Sequence, residues 1–214
     1  RLAVIEDIIR TQKIVTLPER EAIIRLATAA ESASVPSPQM KPPPFINNQG
    51  ERGEFVLPLV MPPVEGDAPA RRLEDFTFDA VTWTLTAHEA RPGHELQFAS
   101  MVENGVSLAR ALFAFNSVNV EGWALYAEAE TQPHLPLDGQ LIALQFRLLR
   151  AARAFLDPGL QQGTVSPDEA RRVLVEQVVI TEANAEQELQ RYTFRAPGQA
   201  KLTSPPSALE AMRV

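Results

Sequence analysis

The chain carries 20 basic and 27 acidic side chains among 214 residues, a net charge of −7, with 45% apolar residues and no cysteine. This length and composition suit one large or two small globular domains and exclude wholesale disorder. The acidic balance argues against nucleic-acid binding, no stretch nears the roughly 18–20 apolar residues of a membrane span, and the missing cysteines exclude disulfides, thiolate metal sites and cysteine nucleophiles.

In chain order, Leu2–Val15 places Leu2, Ile5, Ile8 and Ile9 at helical spacing. Thr16-Leu17-Pro18-Glu19 has the form of a capping box, so Glu21–Thr28 reads as helix or strand; the proline-rich chain beyond it favours strand. Ten of the 18 prolines lie in the first 70 residues, and Ala30–Asp75 reads as an extended arm. Within it, Phe55, Leu57 and Leu59 alternate over Glu54–Val60, and Pro58 suggests an edge strand. From Phe76 onward the pattern is helical: Phe78–Arg91, Val106–Phe115, Val120–Glu130 and Gly139–Leu156, the last stopping at Asp157-Pro158-Gly159. Leu141, Leu144, Leu148, Ala152 and Phe155 form its expected apolar side. A fifth helix starts at the capping box Ser166-Pro167-Asp168-Glu169 and runs to Tyr192. The fold class is therefore mainly α, with one or two short strands near the N-terminus. Residues 1–75 form a helix and arm packed on the main body, 76–200 a helical metal-binding domain, and 201–214 a loose tail.

Two of the three histidines fall in His88-Glu89-Ala90-Arg91-Pro92-Gly93-His94. Two imidazoles can hold zinc, while the Glu beside the first takes the proton of the attacking water. The usual spacing is H-E-x-x-H on one helix face. Here the gap is longer, and on a straight helix six residues turn about 600°, leaving His94 roughly 120° from His88. Pro92 lacks an N–H and Gly93 permits positive φ, so a bulge there would return His94 to His88. Glu121, opening a later helix, is the candidate third ligand, and Glu128 on the same face could support a ligand histidine. The bland alternatives are a core-facing His88 and a Glu121 favoured by the helix dipole alone.

Other candidates carry the same two-sided weighing. Tyr192 or Arg191 could stabilise an oxyanion, or simply end a helix at the surface. Arg147, Arg150 and Arg153 recur every three residues, either binding a substrate carboxylate or forming a salt-bridged face. Asn116 and Asn119 could bind a substrate backbone or cap a helix. His134 sits between prolines as a loop residue, and no Ser-His-Asp pattern is evident.

His88-Glu89-x-x-Pro92-Gly93-His94 with Leu96-Gln97, followed by Glu121-Gly122-Trp123-Ala124-Leu125-Tyr126-x-Glu128, resembles the domain of unknown function 885 family. Met40-Lys41-Pro42-Pro43, the strand from Glu54, Arg150-Ala151-Ala152-Arg153 with Asp157, and Arg191-Tyr192 with Pro197-Gly198-Gln199-Ala200 extend the resemblance over most of residues 14–200. That family is bacterial-rich, mainly helical and similar to gluzincin-type zinc metallopeptidases. The resemblance implies a zincin-like fold, Zn²⁺ on His88, His94 and Glu121, Glu89 as general base, and a peptide or small amide as substrate. It also leans towards a secreted or periplasmic location. The sequence departs at Glu95 and Gln161, where many relatives have histidine, and at Lys201–Pro206, where relatives continue differently; with Arg1 opening the chain, this reads as a partial protein. Two functions stand: a zinc-dependent peptidase-like hydrolase, or an inactive or metal-free helical interaction module.

Overall fold

A computed structural model of the chain describes residues 1–35, 37–58, 60–61, 71–72, 78–113 and 115–194. Parts of the predicted arm, the motif Pro197–Ala200 and the tail from residue 201 lie outside these described residues.

The N-terminal helix, α1 (Leu2–Gln12), forms as its apolar spacing dictates and ends at Lys13 in the left-handed region, φ 56°. It buries Ile5 and Ile9 against Trp83, Ala87 and Leu135. Each fully buried isoleucine contributes about 1.5–3 kcal/mol. No helix follows Thr16; Ile23–Leu26 is strand β1. A capping box does occur further on, where Thr28 and Glu31 cap α2 (Ala29–Ser34), a helix inside the segment read as extended. Strands β2 (Gln39–Lys41) and β3 (Glu54–Leu57) complete a sheet in the order β1-β3-β2, with β1 parallel and β2 antiparallel to β3. β1 and β2 are therefore the edges, and β3, expected at an edge because of Pro58, is central; it ends at Leu57, so the proline falls outside the ladder. A separate antiparallel pair joins β4 (Val60–Met61) to β5 (Arg71–Arg72).

The helical body begins with α3 (Val81–Leu85), which runs into a wide π-type turn over Thr86–Ala90. The chain breaks at residues 91–93 and resumes as α4 (His94–Asn104), a helix the periodicity did not reveal. Short α5 (Leu108–Phe113) leads to α6 (Ser117–Thr131) and then to the long α7 (Leu137–Gln162). α7 passes through Pro158 instead of stopping before it, and ends at Gly163, φ 70°. Proline forfeits only its own N–H bond, and the packed helix tolerates that loss. The predicted fifth helix is two: α8 (Pro167–Arg172) winds through a π-type turn, and after Val179, φ 62°, the chain starts α9 (Glu182–Phe194).

α7 corrects the expected apolar side. Its buried positions are Gly139, Ala143, Leu149, Ala152 and Leu156, whereas Leu141, Leu144, Leu148 and Phe155 are exposed. The helix is apolar on two sides, so periodicity alone could not choose the inner one. Leu149, Ala152 and Leu156 pack with Leu174, Val178, Leu189 and Tyr192 of the α8–α9 unit. At the other end, a Cβ on Gly139 would lie 2.9 Å from the Trp83 ring, so glycine is what lets α7 approach α3. Among the described residues, no helix is long and apolar enough to cross a membrane.

Candidate metal centre

The two histidines are brought together by the break between them. The wide turn closes with Arg91 N–H donating to the Thr86 carbonyl at 3.0 Å. Arg91 is extended and the Arg91–Pro92 peptide is cis. Gly93 has φ −73°, so positive φ is not its purpose. A Cβ there would stand 1.8 Å from the His88 carbonyl oxygen, and only glycine fits. The result sets the imidazole centroids 4.7 Å apart, edge to face at 83°.

Glu121, in the second turn of α6, completes the group. Its Oε2 lies 3.5 Å from His88 Nε2 and 3.8 Å from His94 Nε2. A tetrahedral zinc with bonds near 2.0–2.2 Å keeps its donor atoms about 3.3–3.6 Å apart, so the Glu121 oxygen stands close to the separation from each histidine nitrogen that sharing an ion requires. His88, Glu89 and His94 also offer donor atoms within 4.8 Å of one another. Glu89 lies on the adjacent helix face and accepts a hydrogen bond from the backbone N–H of Met40, on edge strand β2. Glu121 and Glu89 are thus the two carboxylates within reach of the histidine pair.

Behind His88 stands a buried relay. His88 Nδ1 is 2.5 Å from Glu128 Oε1, and Arg150 grips the same carboxylate with two N–H groups at 2.6 and 2.8 Å. This carboxylate fixes which His88 nitrogen faces the centre. Arg150, a candidate for substrate binding by sequence, thus has its guanidinium on Glu128 while also lining the cavity.

The electrostatics follow from burial among carboxylates. Burial opposes a charge on His88, but bonds to Glu121 and Glu128 outweigh it and raise its pKa to about 10. Burial and the charge of His88 lower His94 to about 3. Burial pushes the Glu89 carboxyl up to about 7, against the pull of His88. Burial would raise Glu128 too, but Arg150 and His88 bring it down to about 2. Glu121 is likewise held low by the two histidines in spite of burial.

The centre opens into a cavity of about 730 Å³. Met40, Phe98, Leu125 and Phe146 supply apolar wall, while Arg153, one of the arginines weighed from the sequence, supplies polar wall with Asn184 and Glu188, which sequence reasoning did not single out. The only early signal of this wall was the arginine spacing on α7. Tyr192 is buried, and its hydroxyl donates to Glu188 at 2.8 Å. Glu188 in turn pairs with Arg153. Tyr192 belongs to the core behind this wall. Asn116 caps α6, accepting from Val118 N–H at 2.9 Å and Asn119 N–H at 3.3 Å, and the Asn119 side chain accepts from Gln97 at 3.4 Å. Both asparagines line a small neighbouring pocket.

Two solved structures share this fold. One, from Shewanella oneidensis, is described as a "putative lipoprotein of unknown function" and matches with TM-score 0.72 and 21% identity over 99% of this chain. The other, a "putative lipoprotein" from Colwellia psychrerythraea, matches with TM-score 0.68 and 27% identity over 94%. The matches span 37% and 34% of those chains, so this chain covers about a third of each. No curated protein matches it. The family described as bacterial protein of unknown function (DUF885) matches residues 1–202, and the chain therefore belongs to that family.

Proposed function

We propose that this chain is a zinc-dependent hydrolase of amide bonds, zincin-like in the use of its metal helix. His88, His94 and Glu121 would hold the ion. The observation that carries the reading is the convergence of the two histidine nitrogens within 3.5–3.8 Å of the Glu121 oxygen, at the wall of a cavity. When bound, zinc supplies Lewis acidity, acidifying water and polarising a carbonyl. Glu89 supplies the base: its carboxyl, raised by burial to about 7, can take a proton near neutral pH and return it to a leaving amine. Glu128 and Arg150 hold His88 in one tautomer. The mixed apolar and polar walls suit a peptide or a small amide. The description of the two relatives as lipoproteins supports a location at or beyond the cell envelope.

The test is metal analysis of untagged protein followed by hydrolysis of a peptide panel. About one zinc per chain is expected, lost in His88→Ala and in Glu121→Ala, because removing one of three ligands strips most of the affinity. Full zinc content in both variants would refute the ligand set. A second reading, an inactive helical module, draws on Tyr192, whose hydroxyl is committed to Glu188. Zinc binding without cleavage of any peptide would favour it.

A further inference from the structure

We infer that Trp123 and Arg91 are positioning residues that hold His94 at the centre, an inference that rests on the metal reading above. The two imidazoles are secured differently. His88 is gripped from behind by Glu128, itself pinned by Arg150. Nδ1 of His94 is buried and has no hydrogen-bond partner among the described residues. With nothing holding the outer ring nitrogen, the place of His94 depends on the backbone that enters α4.

That backbone is fastened from two sides. The Trp123 indole N–H reaches the Pro92 carbonyl at 2.9 Å and the Gly93 carbonyl at 3.1 Å. Trp123 lies two residues after Glu121, so one helix supplies a ligand and also grips the break before another. The distance between Glu121 and His94 is thereby set by a short rigid path through α6. On the opposite side, the buried Arg91 guanidinium reaches two helices and the connection before β1. It donates to Glu95 on α4 at 2.7 Å, to Glu6 on α1 at 2.7 Å, and to the carbonyl of Arg20. Arg91 is 3% exposed and Glu95 is 0% exposed, so this fork is locked by packing. It gives a physical role to the buried Glu95. It also ties α1, remote in sequence, to the entry of α4.

The two contacts can be removed with little loss of packing. Trp123→Phe keeps an aromatic ring and deletes the N–H. Arg91→Lys keeps the charge and deletes the planar fork. Zinc alone is the probe, titrated in competition with a fluorescent chelator, with Co²⁺ absorption reporting ligand geometry. Each variant is expected to raise the zinc dissociation constant by about 10–100-fold and to shift the Co²⁺ bands. Metal-free melting and circular dichroism establish that the variant is folded, and a purely structural role would leave the cobalt spectrum unchanged. Should Trp123→Phe fail to fold, Arg91→Lys carries the test. Affinities within about threefold of wild type in the folded variants, with unchanged cobalt bands, overturn the inference. A wild-type chain that binds no zinc in the same titration refutes the metal reading itself, before any variant is compared.

Discussion

Glu89 sits between a desolvating wall and a cluster of charge, and its environment gives it a proton affinity suited to base chemistry near neutrality. Glu89→Gln preserves the shape and cannot take a proton. Zinc content is expected to stay at the wild-type value while hydrolysis falls about 10²–10⁴-fold. A variant that holds zinc and cleaves peptides at the wild-type rate would exclude Glu89 as the base. Glu128 makes the complementary case. It bonds His88 and Arg150, so Glu128→Gln should weaken zinc binding by about 10–100-fold, read by chelator competition. His88, Glu89, His94 and Glu121 were legible because metal chemistry restricts which side chains can act and the His-Glu pair is rare by chance. The grip of Trp123 on the break was not legible: a hydrogen bond from an indole to a backbone carbonyl leaves no periodic trace.

At the scale of elements, the interrupted helix is the device on which the centre depends. A shared metal would require an irregularity between His88 and His94 at this spacing, and the proline and glycine located it. Its construction differs from the expectation. A π-type turn over Thr86–Ala90 contributes, and Gly93 is needed for close approach, not for its sign of φ. Gly93→Ala would thrust a methyl group into the His88 carbonyl, 1.8 Å away. Backbone faces backbone there, so no side chain can move aside. A loss of more than about 3 kcal/mol is expected by urea denaturation, together with loss of zinc binding. Stability within about 1 kcal/mol of wild type would show that the break can be remade without glycine. Elements with strong local signals, such as α1 and the start of α8, stood out in the sequence because spacing or caps define them. The Thr16 capping box left helix open for Glu21–Thr28, and the strand favoured by the proline-rich chain beyond it is what forms, because a cap pattern offers a helix start without supplying the apolar face that must follow.

Across the whole molecule, α7 joins the two halves of the chemistry. One turn carries Arg150 to the metal relay, and the next carries Arg153 to Glu188 on α9. The sequence showed this arginine row but not its use, because the carboxylates that meet it lie 22 and 35 residues away. It also left the inner face of α7 undetermined, since leucines lie on both sides. The Arg153–Glu188 pair with Tyr192 ties α9 to α7, and its pH dependence has a definite sign. Burial opposes the charge on Glu188, but Arg153 prevails and holds the carboxyl below its ordinary 4.5. A depressed carboxyl stabilises the fold above 4.5, and that stabilisation is lost as pH falls through the folded value. Glu188→Gln should therefore be less stable than wild type by about 2–3 kcal/mol near pH 7, because Arg153 is left without its counter-charge. The gap should narrow as acid protonates Glu188 in the wild type. Urea denaturation of both proteins in chelator, at several pH values from about 7 down to about 3, measures it. Titration of the His88 cluster is common to the two proteins and cancels in the difference. A gap that stays constant across that range would mean that the charge of Glu188 does not hold α9 against α7.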